Sequence, residues 1–512
     1  MTSSRVRATR RALLAPLVAA ACLAPALAAE DLGGGRPASH GRVVRFVMSH
    51  WIPGEPSSLG LVDPPVLPIS YVAILSPART SLVLPGIGTL IADATHPAAL
   101  MLPLSGTLPL PPLPLALNGT TLYVQGAVLD PGLAAGVVLT DATKVDLFQP
   151  VVLVGNQRQT ANSISVVDLR TRQVVQTLTN SENGSIAFSP DRRFAYVCEP
   201  GSLRNQVVVY DLTQSPIVVA TTIPVSGGIR YRGCMQRDGR RLYVPLHNAI
   251  SVIDADRTST TFHTEIGTIP VPITGSPTSI FTGPIDLAVT PDNAKLYIAY
   301  GEQAVTFPGT CTLGVVDLNL PGRPHRSIPI TVGGVVTLLN NLATHNRVEM
   351  SPDGLWVYVQ EYGFTPGSFS LGYANGGVVK VVSTLTDTEF AAIPSGGYGQ
   401  NDFFVDRMGR SLWSVHLNAG RMGELLRIDV DRHSPTRFTV WYRVPVHAVP
   451  FNGGYPAGVA TTPDGATVCV SVVEDGSHPV PELLTFDAAT GVLYGQPIPV
   501  QSLPATVGIP RY

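Results

Sequence analysis

One turn recurs six times from about residue 148 onward, and the residues around it recur with it. It stands at Ser189-Pro190-Asp191, Asp238-Gly239, Thr290-Pro291-Asp292, Ser351-Pro352-Asp353-Gly354, Met408-Gly409 and Thr462-Pro463-Asp464-Gly465. Each turn leads into a short apolar strand: Phe194-Ala195-Tyr196-Val197, Leu242-Tyr243-Val244, Leu296-Tyr297-Ile298, Val357-Tyr358-Val359, Leu412-Trp413-Ser414-Val415 and Val468-Cys469-Val470. A further strand then closes at Asp168, Asp211, Asp254, Asp317, Ser383, Asp429 and Asp487, positions separated by 43, 43, 63, 66, 46 and 58 residues. Alternating β-branched and polar residues between turn signals predict antiparallel sheet. A base unit of about 43 residues with four strands predicts propeller blades.

The ends of the repeat set the blade count. Its first unit opens at Val151-Val152-Leu153-Val154 with no strand and no Pro-Asp turn before it. The sequence finishes on Pro504-Ala505-Thr506-Val507-Gly508-Ile509, a strand with no partner of its own. Pairing the two gives an all-β, seven-bladed β-propeller closed by the C-terminal strand, with no exposed sheet edge at the seam.

The motifs resemble those of the YVTN-repeat family of seven-bladed propellers. The matches are Leu153-Val154-Gly155-Asn156 with Ile164-Ser165-Val166-Val167-Asp168, and Leu242-Tyr243-Val244 with Ile250-Ser251-Val252-Ile253-Asp254. The resemblance covers residues 148–512. It implies the fold and leaves function open, because surface-layer and adhesion-type proteins, lactonase-like hydrolases and electron-transfer propellers all share the repeat.

Ahead of the repeat, residues 30–147 read as a small β-sandwich-like domain. Strands are predicted at Tyr71-Val72-Ala73-Ile74-Leu75, Ser81-Leu82-Val83-Leu84, Thr121-Leu122-Tyr123-Val124-Gln125 and Thr143-Lys144-Val145-Asp146-Leu147. Residues 30–42 read as a polar, Gly-rich lead-in, and the Pro-rich stretch 102–117 as an irregular edge or loop, since proline is excluded from central strands. Residues 1–29 have the pattern of a secretory signal peptide. Arg5, Arg7, Arg10 and Arg11 precede an apolar run, and Ala26-Leu27-Ala28 offers the small residues of a cleavage site. Cys22 is an alternative lipoprotein-type anchor point. No later stretch reaches the length of a spanning helix. The expected location is therefore periplasmic, extracellular or at the cell envelope.

Charge narrows the classes of function. Lys plus Arg number 34 against 36 Asp plus Glu, a formal charge of −2, and no basic stripe appears, which argues against nucleic-acid binding. Cys198, Cys234, Cys311 and Cys469 form no metal-binding or haem-attachment spacing. Export permits a Cys198–Cys234 disulfide between neighbouring blades; buried thiols are the alternative. No GxSxG, HExxH, Walker or EF-hand pattern occurs, and no cofactor is indicated.

The long insertions fall on one face of the predicted ring, at residues 301–310, 361–376 and 474–481 between second and third strands, and at 273–284 and 333–346 between blades. Insertions gathered on one face mark the binding face of a repeat protein. Glu199, His247, Glu361, His416 and Glu474 are expected after second strands, and Arg230, Arg232, Asp286, His345, Arg347 and Asp402 near the starts of the first strands that line the channel. Such residues would bind a divalent cation, act as acid and base, or steady an oxyanion. A loop face is also polar whatever it does, so a solvated rim accounts for the same residues. His345, Arg347 and Glu361 flank the two longest insertions and are the candidate catalytic group. Two functions stay open: a non-enzymatic propeller binding a protein, glycan or small molecule, and a lactonase-like hydrolase opening a ring ester. A periplasmic electron-transfer or dehydrogenase-type subunit is a third.

Overall fold

The computed structural model describes residues 29–33, 37–38, 44–48, 57–62, 70–85, 88–97, 99–105, 108–110, 121–146, 151–156, 163–179, 185–198, 205–230, 232–272, 283–300, 303–304, 310–331, 342–364, 378–395, 399–417, 423–446, 455–463, 465–473, 480–501 and 504–510. The signal-peptide pattern, Cys22, Glu199 and Glu474 lie outside them. Among the described residues the structure is all strand and turn, and no helix is long and apolar enough to cross a membrane. The chain divides into two compact units, Met1–Pro114 with Thr121–Leu147, and Leu115–Thr120 with Phe148–Tyr512.

The first unit is built on a sheet ordered Ala29–Gly33, Ala142–Asp146, Thr121–Leu129, Ser70–Ser76, Leu100–Ser105, with Val137–Leu139 also pairing Thr121–Leu129. One expectation is corrected here: part of the polar lead-in is an edge strand. Part of the Pro-rich stretch lies at the opposite edge, as one of its two expected readings had it, but as a regular strand in which Pro103 pairs Val72. An edge is where a residue without an N–H does least harm. Gln125 is fully buried and stitches this sheet to the hairpin Arg79–Leu84/Gly88–Ala92: its Oε1 accepts from Ile91 N at 2.7 Å, and its Nε2 donates to Thr89 O at 2.9 Å.

The second unit is a ring of seven antiparallel sheets. Blade one consists of Val151–Asn156, Ser163–Asp168, Gln173–Thr179 and, as its inner strand, Pro504–Gly508, which pairs Leu153 with Gly508 and Val154 with Val507. The expected closure by the C-terminal strand is therefore observed. Second and third strands are buried over most of their length, and Ser163–Asp168 over all of it, because neighbouring blades cover both faces. Outer strands such as Gln173–Thr179 alternate between exposed and covered residues.

The local code of each blade is visible in its bonds. At Asp168, Asp211, Asp254, Asp317, Asp429 and Asp487 the carboxylate accepts the backbone N–H two residues on, the Asx turn that ends a strand and starts the next hairpin. The turn between first and second strands needs a left-handed residue at its last position. Gly354 and Gly409 meet that need without a Cβ penalty (φ 73° and 66°), while Arg192 and Asn293 adopt it at φ 58° and 59°.

Blade five departs from its neighbours. Its inner strand runs from Leu342 to Met350 and its second strand from Trp356 to Phe364, each longer than the six-residue strands of blade four. The segments 333–346 and 361–376, expected as loops, are thus partly strand. Gln303–Ala304, from the loop of blade four, pairs Leu342–Met350 and makes this a five-stranded sheet.

The cysteines are settled where they are described. Cys198 and Cys469 are buried and Cys234 is half-buried. Cys198 packs in the core between blades two and three, whereas Cys234 packs against the core between blades three and four, on the other face of the intervening sheet. No disulfide joins them.

Candidate functional site

The inner strands share an irregularity that decides where charge goes. In blades one, four, five, six and seven, pairing with the second strand skips one residue at the same place: before Thr506, Asp286, Arg347, Asp402 and Gly458. A bulge of this kind re-aims the side chain that follows it. Arg232 holds the equivalent place in blade three, two residues ahead of Cys234, which pairs Tyr243 as Ala288 pairs Tyr297 in blade four. Blades three to six therefore present Arg232, Asp286, Arg347 and Asp402 at one level, alternating in sign.

These side chains converge. Arg232 reaches Asp402, three blades away, with NH2 at 3.1 Å from Oδ2, so its guanidinium crosses the channel. Arg347 Nε donates to Asp402 Oδ1 at 3.0 Å, and Arg232 NH1 stands 3.6 Å from Glu349 Oε1. Asp402 is fully buried, and it also accepts from Phe403 N at 3.0 Å and Val459 N at 3.2 Å. Asp286 copies that backbone arrangement one blade pair earlier, accepting from Leu287 N at 3.0 Å and Val348 N at 3.1 Å. Each aspartate thus joins its own strand to the inner strand of the next blade. Charge-assisted bonds of this sort contribute roughly 1.5–3 kcal/mol each.

Burial pushes the Asp286 carboxyl up to about 6, and the nearby Arg232 and Arg347 only partly offset it. For Arg232, burial works against the charge, but Asp402, Asp286 and Glu349 together outweigh it and hold the guanidinium more firmly protonated than usual.

Other candidates lie further out. His345 and Glu361 are direct cross-strand partners in the long hairpin of blade five, and Arg347 follows the bulge that separates it from His345. Arg230 NH2 contacts His247 Nδ1, and burial, with the Arg230 charge, lowers the His247 pKa. His416 lies inside its second strand rather than after it, is fully buried, and donates through Nε2 to Glu424 Oε2 at 3.1 Å. The structure therefore brings Arg232, Asp286, Arg347 and Asp402 together and pairs His247 and His416 with partners of their own, Arg230 and Glu424; the side chains of His345 and Glu361 lie outside the described residues. Glu349 and Glu424 were not singled out in the sequence. Glu349 lies between Val348 and Met350 in a largely polar strand; its one signal is a charge where the equivalent residue of blade four is Ala288. Among the described residues, no three His, Cys, Asp or Glu side chains are grouped to hold a metal ion.

No protein-family model and no curated protein matches the chain. Solved structures resemble it. A functionally unknown protein from Desulfotomaculum acetoxidans is 13% identical, with 70% of this chain and 98% of that one covered at a TM-score of 0.48. A candidate 6-phosphogluconolactonase from Bacteroides uniformis is 14% identical, with 70% and 98% covered at 0.46. Kuenenia stuttgartiensis hydrazine synthase is 19% identical, with 62% and 90% covered at 0.42.

Proposed function

We propose that the chain is an exported binding propeller of the YVTN-repeat kind, which docks a protein, glycan or small-molecule ligand on its looped face without transforming it. One observation carries this reading: the charges at the looped end of the channel are spent on one another. Asp402 receives two arginines and two backbone N–H groups, which saturates a carboxylate. A network satisfied in this way is a rigid floor beneath a docking surface. The extended hairpin of blade five, with its added edge strand, supplies further surface above that floor. Export rests on the signal-peptide pattern of residues 1–29.

A second reading has one observation in its favour. A carboxyl titrating at about 6 near two arginines is the equipment of a lactonase-like hydrolase, with Asp286 as acid or base and Arg347 steadying an oxyanion. One pair of experiments separates the two. Residues 30–512 are titrated in a pH-stat against unphosphorylated lactones, with and without divalent cations, and screened on an array of glycans and envelope polymers. Binding predicts no turnover and a saturable ligand whose affinity falls about tenfold or more when the blade-five hairpin is cut back to its neighbours' length. Saturable turnover abolished by Asp286→Asn would replace this reading with the hydrolase.

A further inference from the structure

The layer of side chains between neighbouring blades is apolar at the level of the bulges. Cys198 meets Val244 and Leu246 between blades two and three, and Ala299 meets Val359 between blades four and five. Between blades five and six the layer changes character. Tyr358 and Leu412 pack together there, which fixes the faces of their strands. Two residues further along the same faces stand Gln360 from blade five and Ser414 from blade six, with His416 next on the latter strand. All three are fully buried.

Four polar atoms of these residues have no partner: Gln360 Nε2 and Oε1, Ser414 Oγ and His416 Nδ1. His416 Nε2 is engaged with Glu424, itself 17% exposed, so the ring is oriented with Nδ1 left over. Each orphaned group has given up its bonds to water and received nothing in return. Four at one level is a penalty on the scale of a domain's whole net stability, so a dry gap here does not fit a stable ring. The set is also chemically mixed. An amide N–H₂ donates, an amide oxygen and an imidazole nitrogen accept, and a hydroxyl does both.

We propose that the gap between blades five and six is a closed binding site for a small neutral molecule that both donates and accepts hydrogen bonds, water being the smallest member of that class and a hydroxyl compound the larger. The gap between blades seven and one carries a milder version, where Asn156 Oδ1 and Ser471 Oγ are the orphans.

The test is a high-resolution crystal structure of residues 30–512, together with mass spectrometry of small molecules released when the same protein is denatured. The expected result is density within hydrogen-bond distance of His416 Nδ1, Ser414 Oγ and the Gln360 amide. Water-sized density with no released compound identifies water. Larger density with a released hydroxyl compound identifies the other source. Gln360→Leu combined with Ser414→Ala is expected to abolish the density and, in oxygen-17 relaxation dispersion, at least one long-lived internal water where water is the occupant. A gap with no density, or one in which Gln360, Ser414 and His416 bond directly to each other, would overturn the proposal.

Discussion

Arg232 and Asp402 meet across the channel at 3.1 Å although they belong to blades three positions apart in the ring. Neither charge is left to solvent: Asp402 is fully buried and the Arg232 side chain is only 15% exposed. The pair therefore ties opposite sides of the ring rather than neighbours.

Asp402→Ala is expected to lower unfolding free energy by about 3–5 kcal/mol, since it leaves two buried guanidinium groups short of their partner. Arg257→Ala, which removes the exposed pair with Asp191 at 3.2 Å and leaves the turn bonds of Asp191 in place, should cost less than about 1 kcal/mol. Urea titrations of both variants make the comparison. Equal losses would show that the cross-channel pair does no more than a surface one.

Asp286 sets one slope of the stability–pH curve. Its folded pKa, pushed up to about 6 by burial, exceeds the ordinary 3.8, so the native state holds this proton more tightly than the unfolded chain. The resulting contribution is fully present below 3.8 and is lost as pH rises through about 6, on the order of 3 kcal/mol in all. Asp286→Asn should flatten that part of the curve, measured as unfolding midpoint at half-unit intervals between pH 4 and pH 7, roughly the window of the shift.

Asp387 is expected to behave in the opposite sense. Burial alone would raise its pKa, but bonds from Tyr297 Oη (2.6 Å), Lys295 Nζ (2.9 Å) and Arg326 NH2 (2.7 Å) hold it below 3.8. Its contribution is present above 3.8 and is lost as pH falls through the lower folded value. Asp387→Asn should cost about 2 kcal/mol at neutral pH, with the gap to the wild type closing below pH 3.8. A constant gap would point to packing rather than charge.

Removing the closing strand should open the ring. A chain ending at residue 501 lacks Pro504–Gly508 and uncovers Val152, Val154 and the core they share with blade seven. Loss of a cooperative thermal transition and binding of a hydrophobic dye are expected, with recovery on adding a peptide spanning residues 502–512. An unchanged midpoint would mean that closure contributes little.

Legibility in the sequence followed the range of the interactions. The Asp residues ending third strands could be read because an Asx turn is complete within three residues, as at Asp254. Arg232, Asp286, Arg347 and Asp402 could be placed near the channel because strand order alone puts them there. That Arg232 would choose Asp402 over the adjacent Asp286 could not be read, since the choice depends on the diameter of the closed ring. Gln360 was hidden for another reason. It continues the apolar run Val357-Tyr358-Val359, and only the faces of two packed sheets show that it fronts the same inter-blade layer as Ser414 and His416. The strand character of Leu342–Phe364 was masked by polar and Gly-rich insertion sequence, whose pairing comes partly from Gln303–Ala304 of another blade.

Because Leu153 pairs with Gly508, the earliest blade to be synthesised is the last to be finished. Blade one leaves the ribosome with an open edge that no nearby residue can cover, and every later blade stacks onto an unfinished foundation. The seam thus acts as a checkpoint in time: the final lock waits until the last strand of the ring has been made. Wherever that strand is released is where the ring becomes a ring.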